Sequence, residues 1–134
     1  MLIKNKFIKS ISDISNEEFK SISNARNSPF MSYKFLESME ASGSASPSAG
    51  WHPHHVTSYK NQTLNGFMPL YLKNNSQGEF VFDHQWSYAL QRAQRKYYPK
   101  FLSAIPFTPC ETSKFITPEL SIAAEMIKAT KDKM

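Results

Sequence analysis

Three strand-like runs follow one another between His55 and Phe82: His55–Lys60, Gly66–Leu72 and Glu79–Phe82. The turns between them, Asn61–Asn65 and Lys73–Gly78, are too short for a helical crossover. Neighbouring strands here must therefore run antiparallel. Pro69 falls inside the second run. It lacks the N–H that a ladder needs, which places it at an edge or a bulge. Alternation puts Tyr71 and Lys73 on one face of that run and Leu70 and Leu72 on the other.

Helical signals flank these strands. Phe7–Ile11 reads as a first strand. After it, Ser15 and Glu18 have the spacing of a capping box, with Ile14 and Phe19 as its hydrophobic staple. A second helix is expected from Ser32 to Ala41, with Met31, Phe35, Leu36 and Met39 on one face. Gly43 sits where a left-handed residue would end it, and the small, polar Ser42–Gly50 stretch reads as a loop. Trp86, Leu90, Ala93 and Tyr97 form an apolar stripe on a helix from Trp86 to Tyr98, stopped by Pro99. Phe101–Ile105 returns as a strand. Thr117 before Pro118 marks a last helix start, and lysines gather at its far end. The order β-α-α-β-β-β-α-β-α defines an α/β (α+β) fold, a mixed sheet with an antiparallel middle. Phe35, Leu36, Phe67, Leu70, Phe82, Leu90 and Ile105 are the expected common core.

With 134 residues the chain has the size of one domain. Its single cysteine, Cys110, excludes an internal disulfide and fits a reducing compartment. The amino terminus lacks the apolar run of a signal peptide, and no stretch approaches a membrane span. The expected location is cytoplasmic. The net charge of +5 is spread along the chain, densest at Arg92, Arg95 and Lys96 with Lys100 nearby. That cluster reads as a solvated helix face or, alternatively, an RNA contact.

Several blocks carry more than topology. Asn27-Ser-Pro-Phe-Met-Ser-Tyr-Lys-Phe-Leu-Glu-Ser-Met-Glu-Ala-Ser-Gly43, Gly50-Trp-His-Pro-His-His55, Met68-Pro-Leu-Tyr-Leu-Lys73, Gly78-Glu-Phe-Val-Phe-Asp83, Tyr97-Tyr-Pro-Lys-Phe101 and Ala104-Ile-Pro-Phe-Thr-Pro109 occur in this order. They resemble the amino-terminal part of a Fem-like family of peptidoglycan-biosynthesis, GNAT-superfamily N-acyltransferases, over residues 27 to 110. The resemblance implies a GNAT-like fold, a second GNAT-like domain in the longer protein, and attack of an amine on an activated acyl or aminoacyl group. It implies as partners that missing domain, or self-association in its place, and a small-molecule or cell-wall precursor substrate. The donor would be acyl-CoA or aminoacyl-tRNA, bound by the full-length protein.

The junction Asp83-His-Gln-Trp-Ser87 has no glycine, and Asp83 puts negative charge where a pyrophosphate would sit. No cofactor is therefore expected in this domain. Asp83 and Trp86 either grip a polar substrate or serve as helix cap and core residue. Tyr71 is a candidate general acid or a packing residue, with Lys73 on the same face. Trp51, Tyr71, Lys73, Asp83, Trp86, Phe107 and Thr108 form the candidate substrate-binding set. Trp51, Tyr71, Trp86 and Phe107 are expected to be partly uncovered without a second domain. His52, His54 and His55 lack the further ligands that zinc demands, so no metal is expected. Cys110 has no identifiable activating base and is assigned no role.

Overall fold

The computed structural model describes residues 3–23, 27–76, 79, 84–108 and 112–134, with the side chains of His84 and Trp86 outside that description. The regular elements are β1 (Ile3–Ile8), α1 (Asn16–Ile22), α2 (Tyr33–Ala41), β2 (Trp51–Pro53), β3 (His55–Lys60), β4 (Thr63–Met68), β5 (Tyr71–Lys73), α3 (His84–Arg92), β6 (Lys100–Leu102) and α4 (Leu120–Lys133). Short 3-10 turns cover Ile11–Asp13, Pro29–Met31 and Pro47–Ala49.

The β3–β4 hairpin turns on two residues. Asn61 and Gln62 take φ of 52° and 69°. Two successive left-handed residues match the right-handed twist of the flanking strands. The expected five-residue loop therefore shrinks, and β4 starts at Thr63. The register then shifts between Ser58 and Tyr59: Tyr59 faces Leu64, whereas Ser58 faces Gly66. Asn65 is the extra residue of a bulge.

Beyond the bulge one register runs the whole length of the ribbon, from Val56 opposite Met68 to Trp51 opposite Lys73. β2–β3 and β4–β5 are thus two long strands, each interrupted near a proline, Pro53 and Pro69. The His54 N–H donates to Leu70 O at 2.9 Å across the break. The second expected strand is split at Pro69 rather than merely bent there. β1 lies beside β3, from Ile3 opposite Lys60 to Ile8 opposite His55, and β6 lies beside β5. Every described pairing is antiparallel. Where one mixed sheet is expected, the described strands form two three-stranded antiparallel sheets, β1-β3-β4 and β2-β5-β6, because after β1 the chain re-enters at the end it left, Ile8 facing His55.

The two sheet faces have separate cores. Leu64 and Phe67 join Ile14, Phe19, Ile22 and Leu36 beneath α1 and α2. Val56, Met68 and Leu70 join Ile122 and Met126 of α4 on the opposite face. At Gly66 a Cβ would lie 2.7 Å from Ile122 Cγ2, so only glycine lets α4 approach β4 this closely. The capping box at Ser15 and Glu18 forms, and both staple residues are buried. Tyr33 Oη donates to Ile14 O at 2.9 Å and ties α2 to the start of α1.

Several expectations need correction. Leu90 is half-buried and joins no described core cluster, because α3 packs only marginally on the described elements. α3 ends at Arg92, before Gln94 at φ 60°, rather than at Pro99. Leu70 is buried, but on the face opposite Leu36 and Phe67. Phe82 and the expected strand at 80–82 lie outside the described residues. Thr117 does not cap α4 directly. Its hydroxyl donates to Asn65 O and accepts the Glu119 N–H, and the helix begins at Leu120.

Candidate functional site

The edge of β2 is where the sheet stays open. β1 accompanies β3 as far as His55 and then leaves. The next edge position is Pro53, which has no N–H to offer a partner. Ser10 instead caps the 3-10 turn at Ile11–Asp13, its hydroxyl accepting the Ser12 N–H at 3.2 Å. On the other side Gly50, at φ 82°, brings the chain into β2. A Cβ there would meet Asn75 Nδ2 at 2.8 Å. Between these segments lies a cleft of about 640 Å³. Lys9 and Ser10, Glu37 and Glu40 of α2, and His52 and His54 provide its polar lining.

Glu40 organises the floor. Its carboxylate accepts from Ser10 Oγ at 2.9 Å, from the Ile11 N–H at 3.1 Å and from His55 Nε2 at 2.6 Å. His55 is fully buried, and its Nδ1 accepts the Leu70 N–H at 3.2 Å. With Nδ1 occupied as an acceptor, Nε2 carries the proton given to Glu40. One carboxylate thus joins α2, the exit of β1, β3 and the start of β5. His54 lines the cleft with its imidazole held below the usual histidine range, first by burial and then by the positive charges of Lys9 and Lys133.

Behind the cleft, on the face that carries Trp51, Tyr71 and Lys73, a second polar cluster is buried. Lys73 Nζ sits 3.8 Å from the centre of the Trp51 ring and 3.5 Å from Glu79 Oε2. Lys100, opposite Lys73 in the ladder, reaches Glu79 Oε1 at 2.7 Å. Two ammonium groups around one carboxylate offset the cost of burying it. Trp51 packs edge-on against Tyr71 with centroids 5.0 Å apart, and Phe107 lies 5.5 Å from Trp51. Trp51 Nε1 and Tyr71 Oη are buried without a hydrogen-bond partner among the described residues.

Four of the sequence-derived candidates therefore meet: Trp51, Tyr71, Lys73 and Phe107. Their exposure is not as expected. Trp51, Tyr71 and Lys73 are fully buried, and Phe107 alone is substantially exposed, at 43 %. Burial, and secondarily Glu40, push the Tyr71 phenol far up, so it keeps its proton. It packs beneath the sheet face and does not line the cleft. Thr108 donates to Pro106 O at 3.0 Å and fixes its own loop. Asp83 and the Trp86 side chain lie outside the described residues, as does Cys110. Glu40, Glu79 and Lys100 were not singled out as site residues by sequence, since Glu40 of α2 and His55 of β3 meet only when the helix settles on the sheet. His55 stood out only as one of three neighbouring histidines. No group of three or more metal-ligating side chains occurs among the described residues.

Helices on both faces of antiparallel strands, with a cleft beside β2, define an α/β domain. Residues 10–134 match the FemAB-like family model, described as peptidoglycan biosynthesis/recognition. The chain belongs to the FemAB-like family, and the match reaches beyond the 27–110 stretch that carries the resemblance. No curated protein and no solved structure matches it. Among the described residues no helix is long and apolar enough to cross a membrane.

Proposed function

We propose that this chain is the acceptor-binding, GNAT-like first domain of an N-acyltransferase acting on a peptidoglycan precursor. The observation that carries the reading is the cleft with a neutral imidazole, His54, in its wall. An amine attacks an acyl carbon only as the free base. In the proposed step the amine nitrogen bonds to the acyl carbon, the bond to the leaving sulfur or oxygen breaks, and His54 takes the ammonium proton. The leaving group departs as thiolate or alkoxide and is protonated by solvent or by a second domain. The acyl or aminoacyl donor is assigned to that second domain, and the cleft serves to position the amine. The family membership, the antiparallel strands and the helices on both faces support the GNAT-like assignment.

Calorimetric titration tests the reading. A soluble peptidoglycan fragment with a free amine should bind, its N-acetylated form should bind at least about tenfold more weakly, and acetyl-CoA should not bind. Equal affinity for both fragments, or tight binding of acetyl-CoA, would overturn it. A non-catalytic binding module is the second reading, favoured by the burial of Tyr71. It predicts that His54→Gln leaves acyl transfer by the longer protein unchanged. The first reading predicts a loss of roughly 10²-fold or more in kcat.

A further inference from the structure

Cations gather on one side of the cleft. Alternation along β2 and β3 puts His52, His54 and Val56 on the α4 side of the strands, where Val56 packs with Ile122 and Met126. The His54 ring meets Phe101, which packs on that same cluster. The β1 register sets Phe7 opposite Val56 and Ile8 opposite His55. Carried one residue further, it sets Lys9 opposite His54, and both line the cleft. α4 adds Lys133, whose Nζ stands 5.2 Å from the centre of the Phe7 ring. The carboxylates come from the other side of the strands. Glu37 and Glu40 belong to α2, and Glu40 is already bonded to Ser10, Ile11 and His55. Neither Lys9 nor Lys133 has an ion-pair partner among the described residues.

We infer that Lys9 and Lys133, together with His54, bind a carboxylate carried by the ligand of the cleft. The inference rests on the reading of the cleft as the acceptor site and adds a second group by which the acceptor is held. Like charges that converge without a counter-ion raise one another's energy, and an incoming anion relieves that cost. The lowered His54 pKa bears the mark of this convergence: after burial, Lys9 and Lys133 are its largest causes, ahead of His52 and His55. The balance of charge favours a carboxylate over a phosphate. The two ammonium groups are matched in number by Glu37 and Glu40 across the cleft. A ligand with one carboxylate and one ammonium adds no net charge to that balance, whereas a dianionic phosphate does. Once the carboxylate is held, the positive field on His54 falls and the imidazole becomes the stronger base. Acceptor binding thus prepares His54 to take the amine proton.

The test follows the His54 ring of the full chain by NMR through a pH titration, with ionic strength held constant by chloride. Saturating acetate is expected to raise the His54 midpoint by about 0.5 or more on the pH scale. Acetamide, of the same shape but neutral, should leave it in place. Lys9→Gln and Lys133→Gln, both at exposed positions, should each raise the midpoint of the unliganded chain and weaken acetate binding at least about threefold. Lys34→Gln on α2 should do neither. Equal responses to acetate and acetamide, tighter binding of inorganic phosphate than of acetate, or full acetate binding by the Lys9→Gln and Lys133→Gln chains would overturn the inference. So would undiminished binding of the amine-bearing peptidoglycan fragment after its carboxylates are amidated, which leaves the amine-binding reading intact. Acetate binding at His54 in a chain that does not tell the free amine from its N-acetylated form would support the inference and remove that reading.

Discussion

Glu40 shows how much one residue can hold together. Replacing it with alanine strands His55 Nε2, the Ile11 N–H and the Ser10 hydroxyl at once. We expect Glu40→Ala to lower unfolding stability by about 3 kcal/mol, measured by urea denaturation. Exposed Glu37→Ala, one turn away, should stay within about 0.5 kcal/mol. Tyr71 makes the opposite case. Its hydroxyl is buried without a described partner, so Tyr71→Phe should be neutral or stabilising, by up to about 1 kcal/mol. A loss above about 2 kcal/mol would show that the hydroxyl is bonded after all. His54 gives a pH dependence. Its folded-state pKa lies below the unfolded value near 6.5, so between the two values the unfolded chain binds more protons. Stability should fall as pH drops through and below about 6.5, and His54→Gln should remove that part of the slope.

At the scale of elements, the features that read correctly are the ones governed by a few adjacent residues. The capping box at Ser15 and the left-handed Gly43 follow from local backbone preference. Contacts between elements were less legible. Gly66 looks like an ordinary strand glycine, yet α4 rests directly on it. Gly66→Ala should cost about 1–3 kcal/mol by overpacking, and the paired variant Gly66→Ala with Ile122→Val should recover part of the loss. α3 carries a clear apolar stripe in sequence, but its described side chains are exposed or half-buried. Leu90→Ala is therefore expected to cost under about 1 kcal/mol, against roughly 2–5 kcal/mol for Leu36→Ala in the α2 core.

For the whole molecule, of the four groups expected to be partly uncovered Trp51 and Tyr71 are buried and Phe107 is exposed, while the Trp86 side chain lies outside the described residues. Among the described residues the large apolar groups that reach solvent are Ile3, Phe30, Tyr88 at 62 %, Phe107, Leu120 at 90 %, Ile127 and Met134, the last three spaced seven residues apart along α4 and its cap. Of these, Tyr88 belongs to the weakly packed α3, which also presents Arg92. We propose that α3 is the surface a second copy of this chain covers. Light scattering on a concentration series should then show association by the chain, abolished by Leu90→Asp. A constant monomer mass at all concentrations would count against it.

Taken by itself, the sequence determined the starts of α1 and α2, the antiparallel hairpin after His55, the interruption at Pro69 and the placement of Tyr71 and Lys73 on one face. Those follow from alternation, capping and proline chemistry, which act over a few residues. The tertiary structure alone decided that Trp51, Tyr71 and Lys73 are buried, that Glu40 meets His55, and that a cleft lies beside Pro53. The reason is physical: register brings together residues far apart in sequence, and a side chain's access to solvent depends on which helices settle over its face.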